Sequence, residues 1–262
     1  MNNLFTLRGS LDRKTTTTTA VCGFILIMTV WITLTALQVI SPALLPSPFK
    51  VITSYAELHF QDALVRNLGY SMLLNFLGYL EAVTVAILIG FPMGLFPVFR
   101  SAFAKYVNAG RFVPLTAVTG VFIAWFGIET NMKIQFLAFG ILVYVLPVVI
   151  QRIDEVEAVY EQTAITLGAT MWQRIKHVFI PSVLSKLSSD IRVLVAISWT
   201  YIIVAEMINS SEGGIGALAY TCARQSRIDK VFAVLLVIIM VGFIQDKLFE
   251  KLDKTLFPHK YV

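Results

Sequence analysis

Charge is what this chain has least of. Only 14% of its 262 residues are charged and 57% are hydrophobic, whereas a soluble globular domain carries roughly 25% charged residues. The shortage excludes a soluble fold and points to an all-α, polytopic membrane protein, in line with a mean hydropathy of +0.76. Cysteine is nearly absent. Cys22 and Cys222 stand far apart with no ligand spacing, so they read as free thiols and set no redox compartment. The three histidines, His59, His177 and His259, are isolated and form no HExxH pair, so no metal site is expected. Without a Walker A sequence the chain does not hydrolyse ATP itself, and no GxSxG or Ser–His–acid set suggests another enzyme. The net charge of +5 comes from basic residues scattered over loops, with no basic stripe interleaved with aromatics, which excludes nucleic-acid binding.

Long apolar runs are what the chain does have. Residues 1–19 form a polar, mildly basic tail with a threonine run, and residues 20–40 form a first apolar span of about the ~20 residues a bilayer requires. A basic flank before an apolar run also describes a signal peptide. This run is long for one, however, and Pro42, Pro46 and Pro48 follow without a small-residue cleavage site, so it reads as an uncleaved span. Residues 41–67 form an external segment containing an amphipathic interfacial helix over 49–64. Further spans are expected at 68–99, 112–126, 132–150, 190–208 and 231–245, with a polar tail at 246–262. Together residues 68–245 make up the core, interrupted by a polar loop at 151–189. Within the second span Ala82, Ala86, Gly90 and Gly94 recur every four residues and give one face on which another backbone can approach closely.

Six spans put both ends of the chain on one side. Fourteen Lys and Arg residues fall on the side of the tails, the 100–111 loop and the 151–189 loop, against six on the other, while Arg192 lies within a span. Because positive loops stay inside, both tails and the 151–189 loop are expected to be cytoplasmic.

Residues 157–181, EAVYEQTAITLGATMWQRIKHVFIP, are the longest polar interruption. Residues 158–167 contain no breaker, and Gly168 sits where a helix stops in a left-handed cap. A second amphipathic run follows, with Met171, Trp172, Ile175, Val178 and Phe179 on one face and Gln173, Arg174, Lys176 and His177 on the other; Pro181 ends it. From the residues alone this is either a docking surface or an ordinary interfacial helix. The spacing of Ala164, Gly168, Val178, Ile180 and Pro181 resembles the EAA loop of ABC-importer permeases, whose short helix docks into a cytoplasmic ATPase. This chain departs from that pattern at Gln162, where the family has Glu (Glu161 is adjacent), and at Thr163, where it has Ala.

Glu81, Glu206 and Arg192 lie inside expected spans, with Asp190 at an edge; such charges are costly unless paired or facing water. Glu206 belongs to AEMINSSEGGIG, which resembles the fifth-span signature of permeases importing nitrate, bicarbonate, taurine and other sulfonates. LPSP at 45–48, FVPLTAVTGVFIAWFGI at 112–128 and the Asp190–Arg192 start of the fifth span resemble the same family, over roughly residues 45–246.

The resemblance implies a type I ABC-importer permease fold in a bacterial inner membrane. It also implies ATPase coupling through Gln162, Ala164, Gly168, Ala169, Met171, Trp172, Arg174 and Pro181. The implied partners are two ABC ATPase subunits that bind ATP–Mg, a second permease copy or paralogue, an external substrate-binding protein and membrane lipid; this chain holds no cofactor. Glu206 would lie near the path or the gate, or only bond packed helices together. Glu81 reads as interfacial or paired, and Arg192 as attracting an anion, snorkelling or pairing with Asp190. The rival reading is a secondary transporter or channel working alone; against it stand six spans, no internal repeat and no broken-helix pair.

Overall fold

The structure is a computed structural model that describes residue 9 and residues 11–260. Nine residues of the expected amino-terminal tail (1–8 and 10) and the last two residues of the carboxyl tail lie outside the described residues. The fold is helical, without a β-strand among the described residues. The elements are α1 (Arg13–Ala36), α2 (Pro48–Phe60), α3 (Leu64–Leu95), α4 (Pro97–Gly110), α5 (Thr119–Phe126) and α6 (Thr130–Asp154). After them come α7 (Ala158–Thr166), α8 (Met171–Arg174), α9 (Ile180–Ile208), α10 (Ile215–Arg224) and α11 (Ile228–Leu256).

The centre of the bundle is the contact between α3 and α6. In lipid the hydrophobic effect does not draw helices together, so association depends on close packing. Gly78, Ala82, Ala86, Gly90 and Gly94 supply it, extending the expected small-residue face by one turn. A Cβ on Gly78 would come within 2.8 Å of Leu137 Cδ2, and one on Gly90 within 2.7 Å of Val149 Cγ1. Because Gly78 meets Leu137, Gly90 meets Val149 and Gly94 meets Ile153, the two helices run in the same direction. The chain must therefore cross the bundle between them, through α4 and α5. Helix α9 runs back along α6, and α11 returns beside α9. Helix α1 is peripheral: its Trp31 donates an Nε1–H hydrogen bond to the Pro46 carbonyl at 3.0 Å and lies against Phe232.

Five helical runs are long and apolar enough to span a membrane, and the bent pair Pro97–Gly110 and Leu115–Phe126 brings the number to six. That pair corrects the expected third span. It is a broken crossing bent by 96°, not a straight helix over 112–126. The expected second span is also shorter at its end, stopping at Leu95 instead of residue 99. Both differences trace to proline. A residue before proline is pushed out of the helical region, and Phe96, before Pro97, is extended at φ −115°, ψ 116°. Val113 precedes Pro114 in the same way, so the residues between Gly110 and Leu115 leave the helical ladder. Lys105 and Arg111 thus belong to the crossing and not to a loop.

Two further expectations change. The threonine run is helical from Arg13, where the Asp12 carboxylate caps the start by accepting the Thr15 amide, and the hydroxyls of Thr17 and Thr19 donate to carbonyls four residues back. Pro181 does not end its helix; α8 runs through a π turn, Ile175–Phe179, into α9 as one 38-residue run. A proline ring presses on the carbonyl four residues earlier, and the wider π turn makes room for it.

The seam between α3 and α6 can be tested directly. Gly90→Leu should lower the thermal stability of the detergent-solubilised protein by about 1–3 kcal/mol through overpacking. Gly69→Ala, which would meet nothing within 4 Å, should be neutral or mildly stabilising.

Candidate coupling element and translocation groups

The polar interruption folds as a helix, a glycine and a second helix. Helix α7 ends in a Schellman motif: Gly168 sits at φ 77°, its amide donates to the Ile165 carbonyl at 2.9 Å, and the Ala169 amide donates to the Ala164 carbonyl at 2.9 Å. Only glycine adopts that φ without strain. Helix α8 starts with a reciprocal capping box, in which the Gln173 amide donates to Thr170 Oγ1 and the Thr170 amide to Gln173 Oε1. Arg174 Nη1 then donates to Glu161 Oε1 at 2.8 Å and ties α8 back to α7. An exposed pair of this kind contributes only about 0.2–1 kcal/mol, so its effect is on the angle between the helices. Ile175, Val178 and Phe179 turn inward, whereas Leu167 (81% exposed) and Trp172 (72%) project from the element. Gln162, Met171 and Pro181 are also exposed, while Ala164 and Ala169 are half-buried.

The three ionisable span residues lie at three levels of the bundle. Glu206, fully buried near the end of α9, is a hub: Ser71 Oγ donates to its Oε1 at 2.5 Å and the Gly216 amide to its Oε2 at 2.8 Å. Ser71 in turn accepts the Ile215 amide at 2.7 Å, and Asn67 Oδ1 accepts the Gly214 amide at 2.9 Å. Gly213 and Gly214 take φ values of 86° and 110°, and a Cβ on Gly214 would collide with the Glu206 carboxylate. Arg192, near the α7–α8 end, pairs with Asp246 at 2.5 Å and Glu250 at 3.4 Å and not with Asp190. Residues two apart on a helix point to different sides; Asp190 is bound by Arg152 of α6 at 2.6 and 2.7 Å. Glu81, midway along α3, accepts from Gln135 Nε2 at 3.0 Å beside a cavity of about 280 Å³ walled by Phe122, Trp125 and Phe126.

Two features were not singled out from the sequence. Lys133 is fully buried at the start of α6, its ammonium 3.1 Å from Glu212 Oε2 as an ion pair without hydrogen-bond alignment, and 5.3 Å from the centroid of Tyr70. Glu212 also accepts from Tyr70 at 3.1 Å and from the Thr130 amide at 3.2 Å. Burial pushes the Glu212 carboxyl up, but Lys133, Tyr70 and Thr130 together hold it below its ordinary value. Glu212 sits six residues beyond Glu206 in the same glycine-rich stretch, the one signal that pointed to it. The second feature is a cavity of about 310 Å³ behind the break in the third crossing, bordered by Arg111, Thr116, Tyr144, Thr200 and Tyr201.

Residues 82–257 match the family described as the binding-protein-dependent transport system inner membrane component. The chain belongs to that family. It is a membrane-spanning permease subunit of an ABC importer, a transport component whose ATPase is a separate subunit. The permease is 29% identical over 234 residues to the putative aliphatic sulfonates transport permease of Bacillus subtilis, covering 88% of this chain and 83% of that one. It is 29% identical over 237 residues to the taurine transport system permease of Escherichia coli, covering 88% and 86%. Among solved structures it resembles a chain of the inward-facing MetNI methionine ABC transporter, with a TM-score of 0.66 at 16% identity over 74% of this chain and 96% of that one. It also resembles a chain of a bacterial ABC transporter involved in importing the acidic polysaccharide alginate, with a TM-score of 0.61 at 15% identity over 91% and 96%. These likenesses show the type I importer permease fold.

Two outcomes follow for the permease. Glu206→Ala strands the Gly216 amide and takes one acceptor from the Ser71 hydroxyl, which still reaches the Asn67 carbonyl at 3.2 Å, and should destabilise the protein by about 1–3 kcal/mol. Thermal unfolding separates this from a purely conductive role, which would lose transport at unchanged Tm. For Glu212, whose folded value is lowered, the stabilisation is complete above its ordinary value of 4.5 and is lost as pH falls through the lowered one. Melting temperature should therefore drop more steeply below pH 4.5 in the wild type than in Glu212→Gln.

Proposed function

We propose that the permease conducts a small sulfonate or comparable oxyanion, as one of two permease copies, and that both copies are driven through α7 and α8 by two ATPases. The carrying observation is that the helix–glycine–helix element is internally locked and continuous with a span. The Schellman motif, the capping box and the Glu161–Arg174 pair fix its shape, and the run from Met171 to Ile208 joins it to Glu206 at the far end of the bundle. A push on Leu167 and Trp172 then tilts α9 as a lever. Gln162, Ala164, Gly168, Ala169, Met171, Trp172, Arg174 and Pro181 form or support the docking surface.

The polarity of charge supports a cytoplasmic position for this end. With Lys105 and Arg111 removed from the loops, twelve basic residues against six still favour it, and both tails would share that side. ATP–Mg would be held by the ATPases alone, and a binding protein would deliver substrate to the α2–α10 end. Residues 41–67 would then be external and residues 68–245 the conducting core. The substrate class is supported by what the relatives transport, aliphatic sulfonates and taurine. Arg192, held by Asp246 and Glu250, would brace the middle of α9 and Glu206, held by Ser71 and Gly216, its far end, and Glu81 would hold α3 to α6 through Gln135.

Reconstitution of the complete transporter tests the coupling. Gly168→Val forces a β-branched residue into the left-handed region, at roughly 1–2 kcal/mol of strain, and Glu161→Ala with Arg174→Ala releases the interhelical tie. Both should reduce sulfonate uptake several-fold while the ATPases still hydrolyse ATP. Full coupled uptake in both variants would overturn the lever reading, and wild-type transport without any ATPase would replace it with a stand-alone transporter.

A further inference from the structure

The cavity behind the broken crossing has no assigned role, and its chemistry is selective. Helix α4 ends at Gly110 beside Val143, where a Cβ would lie 3.7 Å from Val143 Cγ1. Val143 is at the middle of α6 (Thr130–Asp154), so the next residue, Arg111, stands at the mid-level of the bundle, exposed on its flank and far from either end. Its backbone is there because Val113 and Pro114 break the helix. The ion pairs that occupy Arg100, Arg152, Arg174, Arg192 and Arg227 have no counterpart at Arg111. An isolated guanidinium at such a depth costs several kcal/mol unless it faces water or a counter-charge.

The rest of the wall completes the pattern. Thr116, Tyr144, Thr200 and Tyr201 bring four hydroxyls, Phe136, Phe139 and Val204 supply hydrocarbon, and no Asp or Glu lines the cavity. Gly140 keeps it open by letting the turn after the break and Tyr201 approach α6, since a Cβ there would come within 2.7 Å of Leu115 and 2.8 Å of Tyr201. The acidic group at similar depth, Glu81, faces the separate cavity walled by Trp125 and is held by Gln135. A planar guanidinium that forks onto two oxygens, surrounded by hydroxyl donors and a short apolar wall, suits a small oxyanion with a compact hydrocarbon body.

We propose that this cavity is an anion-selective station on the translocation path, with Arg111 as its selectivity residue and a sulfonate or similar oxyanion headgroup as its ligand. The proposal rests on the importer reading above and adds the place and the residue that discriminate charge.

The test uses the full-length protein with its partners in membrane fragments open on both faces. In a Cys22→Ala background, which leaves only the buried Cys222, Thr200→Cys places a thiol on the cavity wall. Its labelling is followed with a sulfonatoethyl and a trimethylammonioethyl methanethiosulfonate, each rate being divided by that reagent's rate with a free thiol. A fixed positive charge in a low-dielectric cleft concentrates anions by roughly tenfold or more, so the sulfonate reagent should be favoured by about that factor. Arg111→Gln should abolish the preference, and Arg111→Lys should retain part of it. Thr116→Cys offers a second vantage point should Thr200→Cys fail to fold. Equal rates, or a preference unchanged in Arg111→Gln, would overturn the proposal. So would a preference for the cation, the sign that a carboxylate of a second copy or a lipid phosphate neutralises Arg111. Because labelling needs neither ATP nor the natural substrate, it can fail while the uptake assay succeeds, and the reverse.

Discussion

Everything in this bundle depends on how closely α3 can lie against α6. A membrane interior offers no hydrophobic reward for bringing two helices together, so the contact rests on five small residues that let side chains of one helix reach the backbone of the other. Its parallel sense then dictates the rest. Two parallel neighbours require a crossing between them, and that crossing is the broken α4–α5 segment, packed through Phe122 onto Met132 and Phe136. Helix α9 takes the other side of α6, and α10 folds back over its end, closing around Glu206.

Polar contacts are sorted by level. At the α7–α8 end, Arg100–Asp154, Arg152–Asp190 and Arg192–Asp246 join α4 to α6, α6 to α9 and α9 to α11 in turn. This belt ties the helices to one another where the docking element attaches. At the opposite end Arg227 and Lys230 pair with Glu57, Asp62 and Asp229, and beside them the buried Glu206, together with Asn67, holds a turn of left-handed glycines through backbone amides. In the middle, residues 111–114 leave the helical ladder, and the chain changes direction there.

Much of this was legible in residue order. Gly168 announced a left-handed cap, the four-residue recurrence of Ala82, Ala86, Gly90 and Gly94 announced a seam, and the spacing around Ala164 announced a coupling element. What escaped has identifiable causes. Hydropathy averages over Pro97 and Pro114, so two half-crossings read as a loop and a short span. Threonines look like a tail until their hydroxyls bond back to the helix, and Pro181 looks like a stop until a π turn accommodates it. The Arg192–Asp190 pairing failed on angular grounds that a helical projection already contains. The Lys133–Glu212 pair joins residues 79 positions apart, a distance at which no local pattern operates.

The length of α3 carries one more consequence. Its 32 residues make a rod of about 48 Å, well beyond the ~30 Å hydrocarbon thickness. Arg66 and Asn67, near its start, mark the end where the surplus emerges. Ser71 lies within the first turns of that end and Glu206 within the last turn of α9, so their cluster sits at the depth of the lipid headgroups. The carboxylate there is fully buried, enclosed by packed helices and the glycine turn. Its hydrogen bonds to Ser71 and to the Gly216 amide therefore close this end of the bundle in the turns that exceed the hydrocarbon layer.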